Sequence, residues 1–304
     1  MYSIKNNDDS FLIELELGNI CNFKCSYCFP GSNTGDRMWP DVNKLERGML
    51  HLLKQHNRKT RLYLIGGEPT LWKDLPQFCN NLKMAHDVVI NISTNASQSL
   101  RWWKQHAHCF DIVNISLHHE YSKIQHTIDV ADILYEKNIE VNIDVLIDPN
   151  DVQRCMDIVE RVKHSKHKFP IIAKTVIIAG AHNYSDDEVL EYLEQPIKRM
   201  PDMDWYNSVC RKPRTHITID NNTDINNDNY FLINNLNHFK GWMCNLGVDT
   251  IKIRNDGTIN GNCGTELNRN IYNLQDFEIT PIKCNQDVCP CSGESCTTKW
   301  KANA

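Results

Sequence analysis

Short apolar stretches alternate with longer amphipathic stretches along the first part of the chain. Residues 11–17 alternate apolar and acidic side chains, and this period of two predicts a strand with one buried face. The same patterns predict further strands at 62–65, 88–92, 112–116, 140–147 and 171–178, and helices at 42–56, 75–84, 97–106, 123–137 and 152–163. About six such alternations predict an α/β fold whose parallel sheet closes, wholly or partly, into a barrel.

The pattern changes after Pro201. Residues 219–237 are rich in asparagine, and their Asn-Asn and Asn-Asp pairs favour turns. Further on, residues 250–254 and 258–259 flank Asn255-Asp256-Gly257, and an Asp-Gly pair between alternating segments is a strong hairpin signal. We therefore predict a barrel domain at 1–200, a bridging segment of short strands and loops at 201–238, and a small cysteine-rich subdomain of hairpin and helix at 239–304.

Composition and charge narrow the class of protein. An apolar content of 41% with 23% charged residues is ordinary for a globular chain. The net charge of −5 argues against general nucleic-acid binding, which depends on releasing counterions from phosphates. The chain start lacks an apolar core of signal-peptide length, and no apolar stretch is long enough to span a membrane. We therefore expect a cytoplasmic protein with no membrane partner.

Thirteen cysteines are many for an intracellular chain of this length, and they fall into groups. Cys79, Cys109 and Cys155 lie inside apolar patterns and are expected to be small buried hydrophobic residues. Three others are concentrated near the start of the chain, and six lie between positions 244 and 296. The two concentrated groups therefore carry the candidate chemistry.

Cys21, Cys25 and Cys28 follow the first predicted strand with the spacing CxxxCxxC. Three thiolates on one loop leave one iron of a cubane cluster without a protein ligand, and that iron can bind and reduce another molecule. Zinc also accepts C-x2-C spacing, but a structural zinc site needs four ligands, and no Cys or His follows within about twenty residues. A disulfide framework is not expected, because this is not a short secreted chain.

With Tyr27 directly before Cys28, the loop has the form CxxxCxΦC, and the chain resembles the radical SAM enzymes. The resemblance implies a partial (βα)6 barrel, with a [4Fe–4S] cluster on the three cysteines and S-adenosylmethionine (SAM) bound at its open iron. It further implies a one-electron reductant, flavodoxin or ferredoxin, and reductive cleavage of SAM to a 5′-deoxyadenosyl radical that takes a hydrogen atom from a substrate. In parallel α/β barrels such chemistry lies at the carboxyl ends of the strands.

Gly66-Gly67-Glu68-Pro69, directly after the second predicted strand, resembles the GGE motif of the same family. There the motif receives the amino group of the methionine moiety: the glycines permit close approach of the backbone, and Glu68 would accept from the ammonium. By the same resemblance, the SAM contacts extend to Tyr27, Thr94, Asn95 and Ser116. Polar residues at strand ends also simply cap the next helix, so both interpretations stay open.

His118 begins the run His118-His119-Glu120, which departs from the Ser-x-Asp-Gly form common in the peptide-modifying branch. Its side chain either faces the substrate or is a hydrogen-bonded histidine on the barrel rim.

The tail cysteines, with the run 239–244 and the hairpin, resemble the Twitch subdomain, a shortened relative of the SPASM extension. This implies one auxiliary [4Fe–4S] cluster held by four of Cys244, Cys263, Cys284, Cys289 and Cys291, with Cys296 and Cys210 spare. A zinc knuckle is the alternative, since thiolates suit either metal. Four ligands would favour an electron-transfer role for the cluster, and three a substrate-binding role.

The expected function is oxidation or dehydrogenation of a small molecule, with the auxiliary cluster accepting an electron. A peptide substrate is less expected, because Cys21 comes too early for a preceding recognition domain of ~80–100 residues. Two alternatives stay open. One is a maturase that crosslinks or epimerises a ribosomal peptide, and the other is a non-catalytic iron–sulfur or zinc protein.

Overall fold

The computed structural model describes residues 3–6, 10–56, 58–167, 169–176, 215–219, 222–226, 237–261, 263, 265–273, 280–289 and 297–301. Cys210, Cys291 and Cys296, together with most of the predicted bridging segment, lie outside the described residues.

A run of parallel strands forms the centre of the protein, and its elements lie close to the predicted positions. After β1 (Ser3–Asn6), these strands are β2 (Phe11–Glu16), β3 (Thr60–Ile65), β4 (Val88–Thr94), β5 (Ile112–Leu117), β6 (Glu140–Ile147) and β7 (Ile171–Thr175), each parallel to the next from β2 to β7. The helices between them are α1 (Val42–His56), α2 (Leu75–Ala85), α3 (Leu100–His106), α4 (Ile124–Glu136) and α5 (Val152–Lys163). Six parallel strands alternating with helices confirm the α/β fold and are consistent with a partial barrel.

Apolar side chains from the strands and helices form one core between the sheet and the helices. In β2, Phe11, Ile13 and Leu15 are fully buried on one face, while Glu14 points to the other. The helices contribute apolar faces at helical spacing, as with Leu45, Met49 and Leu52 of α1. The prediction for Cys79, Cys109 and Cys155 is confirmed, because all three are fully buried in this core.

The predicted hairpin is present, but it belongs to the barrel sheet. Its strands β11 (Thr250–Ile253) and β12 (Thr258–Asn260) pair antiparallel around Gly257, whose φ is +83°. Strand β11 also pairs in parallel with β2, and β12 pairs with β13 (Glu266–Asn270). The hairpin therefore covers the edge of β2 and extends the sheet to nine strands. Among the described residues of 239–304 there is a 3₁₀ turn at Ile271–Asn273 and no α-helix.

A second sheet joins the start of the chain to the tail. Its strand order is β14 (Ile282–Lys283), β10 (Met243–Cys244), β15 (Lys299–Trp300), β1, β8 (Thr215–Ile219) and β9 (Asn222–Asn226). Strand β1 pairs antiparallel with both β15 and β8. No helix in the described part of the chain has both the length and the apolar character needed to cross a membrane.

Candidate functional site

The loop with Cys21, Cys25 and Cys28 leaves the carboxyl end of β2. Cys25 is buried, and the other two thiols are partly exposed. Burial raises the pKa of all three thiols, that of Cys25 to about 12, and the negative charges of Cys21 and Cys28 add to the effect on Cys25. All three thiols are carried by one short loop, as a shared cluster requires.

Two N–H groups point at the Cys21 sulfur. The backbone N–H of Phe23 donates to Cys21 Sγ at 3.3 Å, and Nδ2 of Asn95 lies 3.9 Å from the same atom. Hydrogen bonds to cysteine sulfur are one of the means by which proteins tune iron–sulfur clusters. Asn95 follows β4, so the ends of β2 and β4 meet at one rim, as predicted. The donor set therefore fits a cluster held by three thiolates.

The two glycines after β3 bring that turn against the cysteine loop. Gly67 has φ of +35°, and a Cβ placed on it would lie 2.2 Å from the carbonyl oxygen of Ile20. A Cβ on Gly66 would lie 2.4 Å from the carbonyl oxygen of Gly18. The backbone N–H of Glu68 donates to the Ile20 carbonyl at 2.8 Å. From the sequence we predict that the glycines permit close approach of a ligand. In this structure they permit close approach of the backbone of the cysteine loop.

Glu68 is fully buried, and its carboxylate already has four hydrogen-bond donors. Oε1 accepts from Thr70 N at 3.1 Å, Thr70 Oγ1 at 2.6 Å and Thr94 Oγ1 at 2.6 Å, and Oε2 accepts from Asn95 N at 2.6 Å. Each carboxylate oxygen offers about two acceptor positions, so these donors saturate Oε1 and leave one position open on Oε2. Burial raises the pKa of Glu68, and the four hydrogen bonds oppose that rise. An ammonium contact at Oε2 stays a prediction; in this structure Glu68 and Thr94 tie the end of β3 to the end of β4.

Tyr27 and His118 contact each other. The Tyr27 hydroxyl lies 3.3 Å from His118 Nδ1, and the Tyr27 ring stacks on those of His118 and His119 at centroid distances of 5.9 and 5.3 Å. Burial lowers the pKa of His118 to about 4, so its ring is neutral at pH 7. His118 thus contacts the Tyr27 hydroxyl at the barrel rim, and a substrate contact for it stays a prediction. Ser116 lies two residues earlier on β5, on the face of the sheet that points away from the helices, which we call the inward face.

The inward face of the sheet also carries charged and polar residues that the sequence reasoning missed. Asp144 of β6 is 1% exposed and forms an ion pair with Lys174 of β7. Burial alone would lower the pKa of Lys174, but the Asp144 carboxylate outweighs it and raises that pKa. Nearby strands β3 and β4 contribute a contact of 3.0 Å between Tyr63 Oη and Ser93 Oγ. Asp144 is the one acidic residue in the middle of the apolar strand β6, and this position was the feature of the sequence that could have identified it.

Four of the five candidate tail ligands lie together. Burial raises the pKa of Cys244, and the charges of Cys284 and Cys289 raise it further. Burial likewise raises the pKa of Cys284, with added effects from Cys289 and Cys263. The geometry agrees for three of them: the Cys284 N–H donates to the Trp242 carbonyl at 2.8 Å, two residues before Cys244, and Cys284 packs against the buried cluster that contains Cys289. Cys291 lies outside the described residues. Four neighbouring thiols fit either an iron–sulfur cluster or a zinc ion.

A buried ammonium adjoins this second cysteine group. Lys299 is 1% exposed; its Nζ donates to the Thr297 carbonyl at 3.0 Å and lies 5.2 Å from the centre of the Phe239 ring. Its positive charge opposes the rise in the pKa of Cys244 and, more weakly, of Cys284. The sequence pattern did not single out Lys299, because one lysine in a two-residue strand has no distinctive periodicity.

Comparisons with known sequences agree with this geometry. The family model described as the Radical SAM superfamily matches residues 15–196. The S-adenosylmethionine-dependent nucleotide dehydratase of a Fibrobacter species is 30% identical over 119 residues, covering 36% of this chain and 34% of the relative. The radical SAM cyclopropyl synthase TigE of Paramaledivibacter caminithermalis is 26% identical over 166 residues, covering 44% and 35%. The chain thus matches only about a third of the length of these two curated relatives.

Comparisons with solved structures show the same fold. The enzyme anSMEcpe with bound AdoMet superimposes with a TM-score of 0.58 at 16% identity, covering 87% of this chain and 78% of that one. SuiB of Streptococcus suis bound to S-adenosylmethionine gives a TM-score of 0.55 at 16% identity, covering 87% and 64%. At 16% identity these two superpositions show a likeness of fold and nothing finer.

Proposed function

The chain belongs to the radical SAM superfamily, and on this premise we propose that it abstracts a hydrogen atom from a small polar molecule and oxidises it. Family membership itself implies an enzyme that binds a [4Fe–4S] cluster and SAM. When bound, that pair supplies a 5′-deoxyadenosyl radical; the protein supplies binding, orientation and exclusion of water.

Cys21, Cys25 and Cys28 would hold the cluster, since their thiols form one group and N–H donors face the Cys21 sulfur. The proposed SAM contacts remain Tyr27, Gly66, Gly67, Glu68, Thr94, Asn95 and Ser116. Thr94 and Glu68 support this site by fixing the strand ends from which those residues project. Their hydrogen bonds are buried.

The charged inward face of the sheet is the observation that carries the choice of substrate. Asp144 is buried there and pairs with the exposed Lys174, and burying a carboxylate in this way is costly without a partner. Small-molecule sites combine apolar walls with a few converging polar groups of this kind. The pair, with Tyr63 and Ser93 beside it, supports a substrate that carries hydroxyl, amino or carboxyl groups.

We infer an electron-accepting role for the tail cysteines. Four thiols favour a fully ligated [4Fe–4S] cluster, which would leave no iron free to bind substrate. The positive charge of Lys299 next to them would stabilise the reduced, more negative form of such a cluster. A net two-electron oxidation needs an acceptor of this kind, because the deoxyadenosyl radical removes only one hydrogen atom.

Deuterium transfer tests the proposal. The anaerobically reconstituted protein would be incubated with SAM, a reductant and deuterated candidates: amino sugars, alcohols, nucleotides and short peptides. We expect deuterium in 5′-deoxyadenosine from a polar small molecule, and a loss of transfer of tenfold or more in Asp144→Asn, with 5′-deoxyadenosine still formed without substrate. Transfer from peptides alone, or full activity of Asp144→Asn, would contradict the proposed substrate class.

A further inference from the structure

The segment directly after β5, residues 118–121, contacts the cysteine loop at several points. We call this segment the clamp. Its strongest contact is made by Glu120, whose Oε2 accepts from Ser26 N at 2.8 Å and whose Oε1 accepts from Ser26 Oγ at 2.5 Å. Ser26 lies between two of the cluster cysteines, so one carboxylate fixes both the backbone and the side chain of the loop at its centre. Hydrogen bonds to a charged acceptor are about twice as strong as neutral ones.

The other clamp residues hold the loop on either side of Ser26. On one side, the Tyr121 hydroxyl donates to the Lys24 carbonyl at 3.2 Å, and its ring stacks on Phe23 with centroids 5.3 Å apart. On the other side, the ring of His119 stacks on Tyr27. Four consecutive residues therefore contact four of the five positions from 23 to 27.

The clamp is itself anchored to the barrel. His119 is 6% exposed, and its Nε2 lies 3.6 Å from Oδ2 of Asp148, which follows β6. His118 N donates to Ser122 Oγ at 2.9 Å, which closes the turn after β5. The loop has no helix or strand of its own between positions 17 and 41. Its shape must therefore come from side chains such as these, fixed by neighbouring strands.

The Glu120 carboxylate lies beside one of the cluster cysteines. It is hydrogen bonded to the backbone and the side chain of Ser26, the residue directly after Cys25. A fixed negative charge so near Cys25 opposes the addition of an electron to a cluster held by that cysteine.

We propose that Glu120 is the main positioning residue for the cluster loop, and that its charge also makes the cluster harder to reduce. The proposal rests on the cluster that superfamily membership implies. It concerns the shape and potential of the cluster site, and Glu120 is not proposed to touch the substrate. The neighbouring His118 and Tyr121 act in the same way, by stacking and hydrogen bonding.

Two substitutions at one position separate shape from charge. Glu120→Gln keeps an amide oxygen for the Ser26 N–H and gives an NH2 that donates to the Ser26 hydroxyl, so it preserves the contact but removes the charge. Glu120→Ala removes both. Glu136→Gln, at an exposed end of α4, is the matched control for loss of a surface carboxylate. All proteins are reconstituted anaerobically as full chains.

The readouts are iron per chain, its rate of loss in air, and the midpoint potential of the EPR signal that changes when SAM is added. For Glu120→Ala we expect loss of about half of the total iron and at least fivefold faster loss of the SAM-responsive signal in air. For Glu120→Gln we expect iron retention like the wild type and easier reduction by about tenfold, which is ~59 mV for a one-electron couple. The control should match the wild type in all three readouts.

Each outcome decides a part of the proposal. Wild-type iron retention in Glu120→Ala would overturn the positioning role, and an unchanged midpoint potential in Glu120→Gln would overturn the charge effect.

Two further variants apply if circular dichroism shows that Glu120→Ala does not fold. Ser26→Ala and Tyr121→Phe each remove one hydroxyl contact and should still speed the loss of the SAM-responsive signal in air. Wild-type rates in both would overturn the positioning role. If the wild-type protein binds no iron, the cluster assignment fails together with the clamp. If it binds iron normally while Glu120→Ala matches it, the clamp alone fails.

Discussion

Glu68 is a buried carboxylate whose hydrogen bonds hold two strand ends together at the candidate site. Its four donors come from Thr70, Thr94 and Asn95, on two separate strand ends. The motif that contains it suggested ligand binding, and the structure shows that three donors already occupy Oε1. Sequence gives the residue type and its neighbours along the chain. It does not give the hydrogen-bond partners that come from another strand.

Glu68→Gln tests this view at the residue scale. The glutamine NH2 cannot accept from donors, so at least one of the four would be left unpaired in the interior. We expect a loss of about 2–4 kcal/mol in the free energy of unfolding, measured by urea denaturation. Thr94→Val, which removes a single donor, should cost about 1 kcal/mol. If Glu68 instead mainly grips the SAM ammonium, the glutamine variant would keep its stability and lose only SAM affinity.

His56 makes a second prediction, for the pH dependence of stability. Its ring stacks on Phe11 with centroids 3.7 Å apart, and burial, with a smaller contribution from Arg58, lowers its pKa to about 4. The unfolded chain binds a proton at this side chain near pH 6.5, so it holds more protons than the folded chain between pH 4 and 6.5. Stability must therefore rise with pH in that window: the contribution is complete above about pH 6.5 and is lost towards pH 4.

The measurement for His56 compares urea midpoints at pH 7 and pH 5. We expect the wild type to lose more stability on acidification than His56→Phe, which keeps an aromatic ring against Phe11 but cannot be protonated. Equal losses in the two proteins would show that His56 does not contribute.

At the scale of secondary-structure elements, the turn after β3 and the cysteine loop form one unit. Gly67 matters because no Cβ fits between it and the Ile20 carbonyl. We expect Gly67→Ala to push the loop away and to lower iron binding at the first cluster by more than half. Gly35→Ala is the matched control: Gly35 also has a positive φ, +79°, but nothing lies within 4 Å of a Cβ there.

The control should cost only the strain of a positive φ, about 1 kcal/mol, with iron binding unchanged. Iron analysis after identical reconstitution decides between the two glycines. If both variants bind iron equally, the close contact between the turn and the loop does not shape the site.

Local patterns predicted most elements well, but not their partners. The strands β2 to β6 and the hairpin lie within a few residues of the predicted positions. Helix α3 begins at Leu100 and not at 97, because the Ser99 side chain accepts from Trp102 N and caps it there. The parallel pairing of β11 with β2 was not predictable, since alternation within a strand says nothing about a partner more than two hundred residues away.

At the scale of the whole molecule, the first cysteine group follows a strand of the nine-stranded sheet, whereas the members of the second group come from both sheets. Spacing was enough to predict the first group, because its three cysteines fit on one loop. The second group could not be resolved from spacing, since its members come from β10, from the end of β12 and from the segment after β14. Strand pairing and packing bring Cys284 close to Cys244 and to Cys289, and which four of the tail cysteines hold a metal stays a prediction.

Lys299→Met tests the electronic role of the second group. Loss of the buried positive charge should make the cluster on these cysteines harder to reduce, by roughly tenfold or ~59 mV in midpoint potential. Lys301→Met is the control, because that ammonium is exposed and lies over the Trp242 ring, 5.5 Å from its centre. An unchanged potential in Lys299→Met, or zinc in place of iron, would contradict the electron-accepting role.

The central claim is that the iron cluster on Cys21, Cys25 and Cys28 has one iron free to bind SAM. The most direct test is pulsed EPR of the reduced protein, prepared with SAM carrying ¹⁵N in its amino group. Two clusters require about eight irons per chain, and we predict a hyperfine coupling from the labelled nitrogen that disappears when Cys25 is changed to serine. A first site that holds zinc, or an iron signal that does not respond to labelled SAM, would contradict the claim.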